Sequence, residues 1–539
     1  MTKKIKTLHT FILRHKYIFI LFLFALFLRL YGINHGLPLL LNDDEPSFVR
    51  SVLGLRFNFR PDRFDWPHAN FYLHFIFYTI FYYGRSIFQI LNLRVLLEQI
   101  FPVLWQDPII FYLISRVINA SLGALTIFPV FVFSRILFKN YRYAFITALF
   151  FSLIPNHNFD SHLALLDTAM TFFGSIALVF FAKIINNPSY KNFLLSGLFL
   201  GISFGTKYNA IFYFLPFAFF VYYSTKETKI LKKIFNLFSF LYIKKILTTF
   251  IFFIFGFIFT NPTILIDFDK FWSRQYGRGF LFQFDNVGTA KTADILNQLN
   301  EIFFYQLRFS FGLSLYIFLI SGIFLYLFFN YRGRINNISI LLPILLMVYM
   351  STKTRFPSHY FIFLYPLIAV FLTNILITIN DFLISENSNF PKYIKSHSVI
   401  ILTLIFISTS FFETCYISYK YGNKDTRLYA YEYISKNLKN EDKLVGYGQL
   451  PFNAIIKKKS YKRITKFKNV YAESELPAFA LLAVPNLLLE DVTTGDRDTR
   501  KMEGNEGDYL LGADLLFYKN SINNFGPNVY IFKINDIQD

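Results

Sequence analysis

The sequence predicts an all-α polytopic membrane protein of about eleven transmembrane helices, followed by a small C-terminal α/β domain outside the membrane. Three observations carry this. Apolar residues come in several separate long runs, and only 16% of the chain is charged, against about 25% in soluble globular proteins. Lys and Arg collect in short stretches between those runs, as the retention of basic loops in the cytoplasm requires. From residue 417 onward the membrane-grade hydrophobicity stops. The chain therefore divides into a membrane domain, 1–416, and a soluble domain, 417–539.

The elements follow in order. Residues 1–16 carry Lys3, Lys4, Lys6, Arg14 and Lys16 with no acid, which keeps the N-terminus in the cytoplasm. No small-residue cleavage site ends the first run, so 17–31 is a retained span rather than a signal peptide. It delivers Asn42-Asp43-Asp44-Glu45-Pro46 to the outer side, where Pro46 suits a first helical turn and the helix dipole favours ionised acids. Residues 34–108 form one long outer loop. Within it, 71–91 is apolar and aromatic but interrupted by Arg85. The basic residues Arg135, Lys139 and Arg142 after the span 109–133 require an even number of crossings before them. The segment 71–91 is thus expected to be an interfacial or re-entrant juxtamembrane helix. Spans at 144–157, 168–182, 193–206, 208–223, 246–261, 303–329, 337–350, 360–379 and 398–416 alternate regularly. An odd total places 417–539 outside the cytoplasm, and the protein as a whole is expected in the plasma (inner) membrane. In that tail, 428–438 reads as an amphipathic helix, and 443–447 and 529–533 read as strands.

The net charge of +20 does not point to nucleic acid, because the basic residues are accounted for by the cytoplasmic loops. A single cysteine, Cys415, excludes an intramolecular disulfide framework and a cysteine-based zinc site. There is no G-x-x-x-x-G-K-[ST] loop, and no nucleotide cofactor is expected.

Two acidic sites fall on one outer face in this topology: Asp43–Glu45, and Asp167 at the start of the span 168–182. Taken alone, the first reads as a solvated acid run and Asp167 as a helix cap. Together they fit glycosyl transfer from a lipid phosphate. A carboxylate can take the acceptor proton while an oxocarbenium-like transition state forms. The phosphate leaving group needs cationic stabilisation, from Arg or Lys or from a divalent metal (Mg or Mn) held by carboxylates such as Asp44 and Asp167. Outer-face cations are Lys207, Arg274, Arg278, Lys353, Arg355 and His359. Each also reads as an ordinary interfacial anchor. Lys207 stands apart because it lies in a short turn between two apolar helices.

Several stretches resemble one family. Asp44-Glu45-Pro46-Ser47-Phe48 resembles the Asp-Glu-x-x-aromatic motif in the first outer loop of bacterial-type GT-C glycosyltransferases of the protein O-mannosyltransferase and aminoarabinose-transferase superfamily (glycosyltransferase family 39-like). Phe64-Asp65-Trp66-Pro67-His68-Ala69-Asn70-Phe71-Tyr72 resembles its Pro-centred aromatic segment. Ser161-His162-Leu163-Ala164-Leu165-Leu166-Asp167 is similar to its second-Asp segment. Gly197 to Tyr208 resembles its Gly-rich helix ending in Thr206-Lys207, and His359-Tyr360 with Leu364-Tyr365-Pro366 its later aromatic-Pro helix. Asp425-Thr426-Arg427 resembles the start of the soluble tail in bacterial members. The resemblance implies Asp44 as catalytic base or acceptor binder, supported by Glu45, Asp167 as a second active-site acid, and Lys207 near the donor phosphate. Asp65, His68, Arg355 and His359 join Lys207 as substrate-binding candidates. One departure is Trp66, which stands where aminoarabinose transferases carry a lysine, so phosphate contacts of that lysine do not transfer.

The expectation is an inverting membrane glycosyltransferase. It would move a sugar from a polyprenyl-phosphate donor to an extracytoplasmic glycan, lipid or protein hydroxyl. Its partners would be the lipid-linked donor and membrane lipid, with no nucleic acid. Two rivals are a flippase of lipid-linked glycans, which calls for mid-membrane charges and two related halves, and a non-catalytic envelope assembly protein working through its tail.

Overall fold

A computed structural model describes residues 2–38, 42, 44–56, 58–61, 63–225, 227, 229–275, 279–285, 295–328, 333–352, 358–385, 391–439, 442–448, 461–463, 478–484, 514–519 and 528–534. It separates into two compact units, one of residues 1–30 and 48–417, the other of 31–47 and 418–539.

The first unit is helical. Among the described residues, six helices are long and apolar enough to cross a membrane: Ile109–Phe138, Asp167–Asn186, Phe240–Thr260, Ile295–Phe328, Ser358–Ile384 and Lys395–Asn437. The shorter Arg334–Met350 is also apolar. The protein is thus an integral membrane protein by helix length and composition. Several segments expected to span are short helices: Tyr141–Ser152, Tyr190–Phe204 and Phe214–Ser224, of 12, 15 and 11 residues. At about 1.5 Å per residue each is shorter than a hydrocarbon core of about 30 Å. Pro155 explains one of them. It opens a separate helix, Pro155–Ser161, and so ends the apolar run at Ser152. The segment 71–91 forms the helix Ala69–Ile90, which buries Asn70, Phe71, His74 and Tyr78 near its start and leaves much of its later half exposed.

Two helices fix the geometry that follows. Tyr190–Phe204 packs along Phe240–Thr260 and Asp167–Asn186. A Cβ on Gly197 would lie 2.1 Å from the Thr249 carbonyl oxygen, and one on Gly201 2.1 Å from that of Phe253. Only glycine lets these backbones approach so closely, as small-residue stripes do in membranes.

The second unit holds Tyr31–Ser47, the helix Thr426–Asn437 and a five-stranded sheet. The strand order is Tyr461–Arg463, Lys443–Gly448, Ala478–Val484, Asn528–Ile534, Asp514–Lys519. The first three strands are parallel and the last two join antiparallel. Ala430, Ile434, Leu438, Leu444, Leu481, Val529 and Ile531 make its core. Asp425 caps the helix by accepting from the Arg427 N–H, and its carboxylate also takes the Arg427 guanidinium.

A candidate active site at the paired Asp167 and Lys207

The first unit gathers four of the motif segments. Lys207 follows the Gly-rich helix, and its N–H donates to the Ser203 carbonyl. Its Nζ lies 2.6 Å from Asp167 Oδ1 and 5.0 Å from the centre of the Tyr360 ring. The acid is nearly buried and the lysine side chain is 17% exposed. The cap expected of Asp167 is not formed. Leu166 holds the cap position, no side-chain capping bond is made, and the carboxylate turns to the ammonium, which is the stronger, charge-assisted partner.

The Pro-centred segment is tied to the same helix end. The Ala69 N–H donates to the Gly205 carbonyl at 2.9 Å, and the Tyr208 hydroxyl donates to the Phe64 carbonyl at 2.8 Å. His68 is buried. Its N–H donates to Asn261 Oδ1, and its ring nitrogens meet Thr263 Oγ1 at 3.1 Å and the Arg63 carbonyl at 2.7 Å. His68 thereby fixes the segment to the end of Phe240–Thr260. Asp65 is held by Arg63 through two bonds, 2.7 and 2.5 Å. The Arg63 guanidinium in turn lies 4.0 Å over the Trp66 ring. A cation thus stands beside the position where the sequence carries Trp66.

The loop before Asp167 is clamped from two other helices. Asn119 Nδ2 donates to the carbonyls of Leu163 and Leu165, both at 2.7 Å, and Asn70 Nδ2 to that of Leu165 at 3.3 Å. Residues 163–166 are buried, where carbonyls need partners, and these amides serve those of Leu163 and Leu165.

Asp160, on Pro155–Ser161, is an acid that the motifs did not single out. It is 5% exposed, and its Oδ2 has no hydrogen-bond partner among the described residues. Burial and the neighbouring Asp167 carboxylate push its carboxyl well above the usual value, with Lys207 pulling the other way. One turn earlier, Asn156 Nδ2 donates to the Tyr365 hydroxyl at 2.8 Å and its Oδ1 accepts from Ser358 at 3.3 Å. Arg29 donates to His157 Nδ1 at 2.9 Å beside them. A sequence signal for Asp160 exists only in its place two residues before His162 in the same outer loop.

His359 lies half-buried in Ser358–Leu364 with its ring 4.9 Å from that of Tyr360. Asp44 and Glu45 belong to the second unit. They open the helix Asp44–Gly54, and both of their N–H groups donate to Asn42 Oδ1, at 3.0 and 3.2 Å. Asp44 is exposed and Glu45 fully buried. Asp43, Arg278, Lys353 and Arg355 lie outside the described residues.

Among the described residues, no three His, Cys, Asp or Glu side chains gather as metal ligands. At Asp167 an ammonium already occupies the place of a counter-cation.

The first unit is thus a helical membrane domain that holds a largely buried acid–lysine pair, Asp167 and Lys207. Residues 113–255 match the family model described as dolichyl-phosphate-mannose-protein mannosyltransferase. That stretch contains Asp160, Asp167 and Lys207, and the match supports the resemblance drawn from the motifs. No curated relative matches the chain. Among solved structures, the chain is similar to ArnT from Cupriavidus metallidurans bound to undecaprenyl phosphate, at 12% identity and TM-score 0.46, covering 96% of this chain and 98% of that one. It is also similar to the oligosaccharyltransferase of Archaeoglobus fulgidus tethered to an acceptor peptide, at 13% identity and TM-score 0.47, covering 95% and 74%.

Proposed function

We propose that this protein is an inverting membrane glycosyltransferase that moves a sugar from a polyprenyl-phosphate donor to a hydroxyl of an extracytoplasmic glycan, lipid or protein. The observation that carries this is the Asp167–Lys207 pair at 2.6 Å, inside the segment matching a lipid-phosphate-mannose transferase family. The undecaprenyl phosphate in the ArnT structure is a ligand of the class proposed for the donor.

In the proposed reaction, the acceptor oxygen attacks the anomeric carbon and the bond from that carbon to the phosphate oxygen breaks. The acceptor proton passes to a carboxylate, and the phosphate leaves with its charge facing a cation. Lys207 takes the cationic role, because its ammonium, mostly out of water and near the Tyr360 ring, interacts more strongly with an anion than one in bulk water. Asp44 takes the proton. Its exposed carboxylate at a helix start is open to an acceptor, and the buried Glu45 supports the turn. Asp167 holds Lys207 in place in the resting site. Asp65 and His68 act by position, since Arg63, Asn261 and Thr263 engage them. Arg355 and His359 are kept as donor-side contacts.

The proposed topology has about eleven crossings, a cytoplasmic N-terminus, and the C-terminal sheet outside, in the inner membrane. Mass spectrometry of lipid-linked sugars and envelope glycans tests the activity, comparing cells carrying wild type, Asp44→Asn or no protein. A sugar transferred in the wild type alone is expected. Identical glycan profiles in all three would remove the proposal.

A further inference from the structure

The helix Ile230–Leu237 is amphipathic in an unusual sense, for its apolar stripe points outward. Leu231, Ile234, Phe235 and Phe238 recur at i, i+3, i+4 and i+7, the spacing of one helix face. They are 70%, 41%, 74% and 72% exposed. Lys229, Lys232, Lys233 and Asn236 recur at the same spacing on the opposite side. Lys229 and Lys232 are exposed, and so is Lys244 a little further on. Lys233 is half-buried over the rings of Tyr222 and Tyr223, at 4.9 and 5.6 Å. Between Glu227 and Asp267 the sequence has no acid. Immediately after this helix comes Phe240–Thr260, which is long and apolar enough to cross a membrane. Its exposed Phe240 and Leu241 continue the apolar surface.

Each of these facts constrains the occupant. A soluble partner would have to cover bulky apolar side chains directly beside a lipid-embedded helix. A bilayer covers them at no further cost, and the connection to Phe240 sets the helix at bilayer-surface height. The lysines then lie in the headgroup layer, with their stems along the apolar boundary. An uncompensated basic stretch there attracts anionic headgroups.

We propose that Ile230–Leu237 is an interfacial helix that lies in the bilayer surface and selectively binds anionic phospholipid through Lys229, Lys232, Lys233 and Lys244. This is independent of the transferase reading, since it requires only that the chain be membrane-embedded.

The experiment uses the full chain in lipid nanodiscs. In a Cys415→Ser background, Phe235→Cys is labelled with bimane, and quenching by brominated phosphatidylglycerol, brominated phosphatidylcholine and aqueous iodide is compared. Native mass spectrometry then counts retained lipids for wild type and for Lys229, Lys232, Lys233 and Lys244 all changed to Gln. The expected result is shielding from iodide, stronger quenching by the brominated phosphatidylglycerol, and at least a threefold fall in retained phosphatidylglycerol in the Gln variant. The corresponding all-Arg variant should retain it. Iodide quenching as strong as for free dye overturns the proposal. So does equal quenching by the two brominated lipids. Both quenching measurements keep the lysines intact, so a Gln variant that fails to insert does not protect the proposal.

Discussion

Lys207 reaches Asp167 across forty positions of sequence to make a 2.6 Å ion pair with a nearly buried carboxylate. Removing one partner leaves the other charge in poorly solvated surroundings, whereas removing both does not. Lys207→Met and Asp167→Asn should each lower transfer by about a hundredfold or more. The double variant should lose far less than the product of the two. Initial rates with a purified lipid-phosphate-sugar donor, in a double-mutant cycle, check this. Strict multiplicativity would mean that the two residues act separately.

Asp44→Asn should abolish transfer while the protein still inserts and elutes as a single species on size exclusion. Glu45→Gln, at a fully buried position, should instead show up first as lost expression or thermal stability. Near-wild-type turnover in Asp44→Asn would take Asp44 out of the reaction.

Asp160 ties stability to pH. Its folded-state carboxyl is raised by burial and by Asp167, so its neutral form is the one that the fold prefers. That contribution is fully present below the unfolded value of about 4 and is lost as pH rises through the folded value. The unfolding midpoint in detergent should therefore fall on going from acid to alkaline pH for the wild type. Asp160→Asn should be less sensitive, and its stability relative to wild type should be higher at pH 8 than at pH 4. Parallel pH profiles for the two proteins would contradict this.

Gly197→Val and Gly201→Val place a branched side chain where a Cβ alone would meet carbonyl oxygens at 2.1 Å. Both should yield little folded protein, because a backbone cannot yield as a side-chain tip does. Gly84→Ala is the control, with nothing within 4 Å of its new Cβ. Fluorescence-detected size exclusion of tagged variants separates these outcomes.

Asn119→Ala removes two donors to the buried carbonyls of Leu163 and Leu165. Each carbonyl keeps a second partner, the Leu165 N–H at 3.0 Å and Asn70 Nδ2 at 3.3 Å, so each lost bond costs about 0.5–1.5 kcal/mol. A fall of several degrees in unfolding midpoint is expected, with reduced transfer because the loop leads directly into Asp167.

Helix-forming and site-forming information was unevenly visible in the sequence. Pro46 and the acids before it announced the helix start at Asp44, since both are local preferences of a first turn. The glycines at 197, 201 and 205 were visible as a pattern, but their use was not, because it depends on where Phe240–Thr260 lies. Lys207 and Asp167 were each visible as charges at helix ends. Their pairing was not, and the local cap reading of Asp167 gave way to a longer-range, stronger bond. Asp160 was indistinguishable from a loop acid because its character comes from burial beneath helices far away in sequence. The apolar runs did not show where their helices end, since Tyr141–Ser152 and Phe214–Ser224 have only 12 and 11 helical residues.

The glycine contact between Tyr190–Phe204 and Phe240–Thr260 leaves two main chains touching directly. Such a pair cannot shear by rotating side chains, so it behaves as one strut. Lys207 sits just beyond one helix, and Asn261, which holds His68, just beyond the other. A bilayer that thins or thickens around this strut tilts it as a single piece, carrying the lysine and the histidine-anchored loop together and keeping their spacing unchanged.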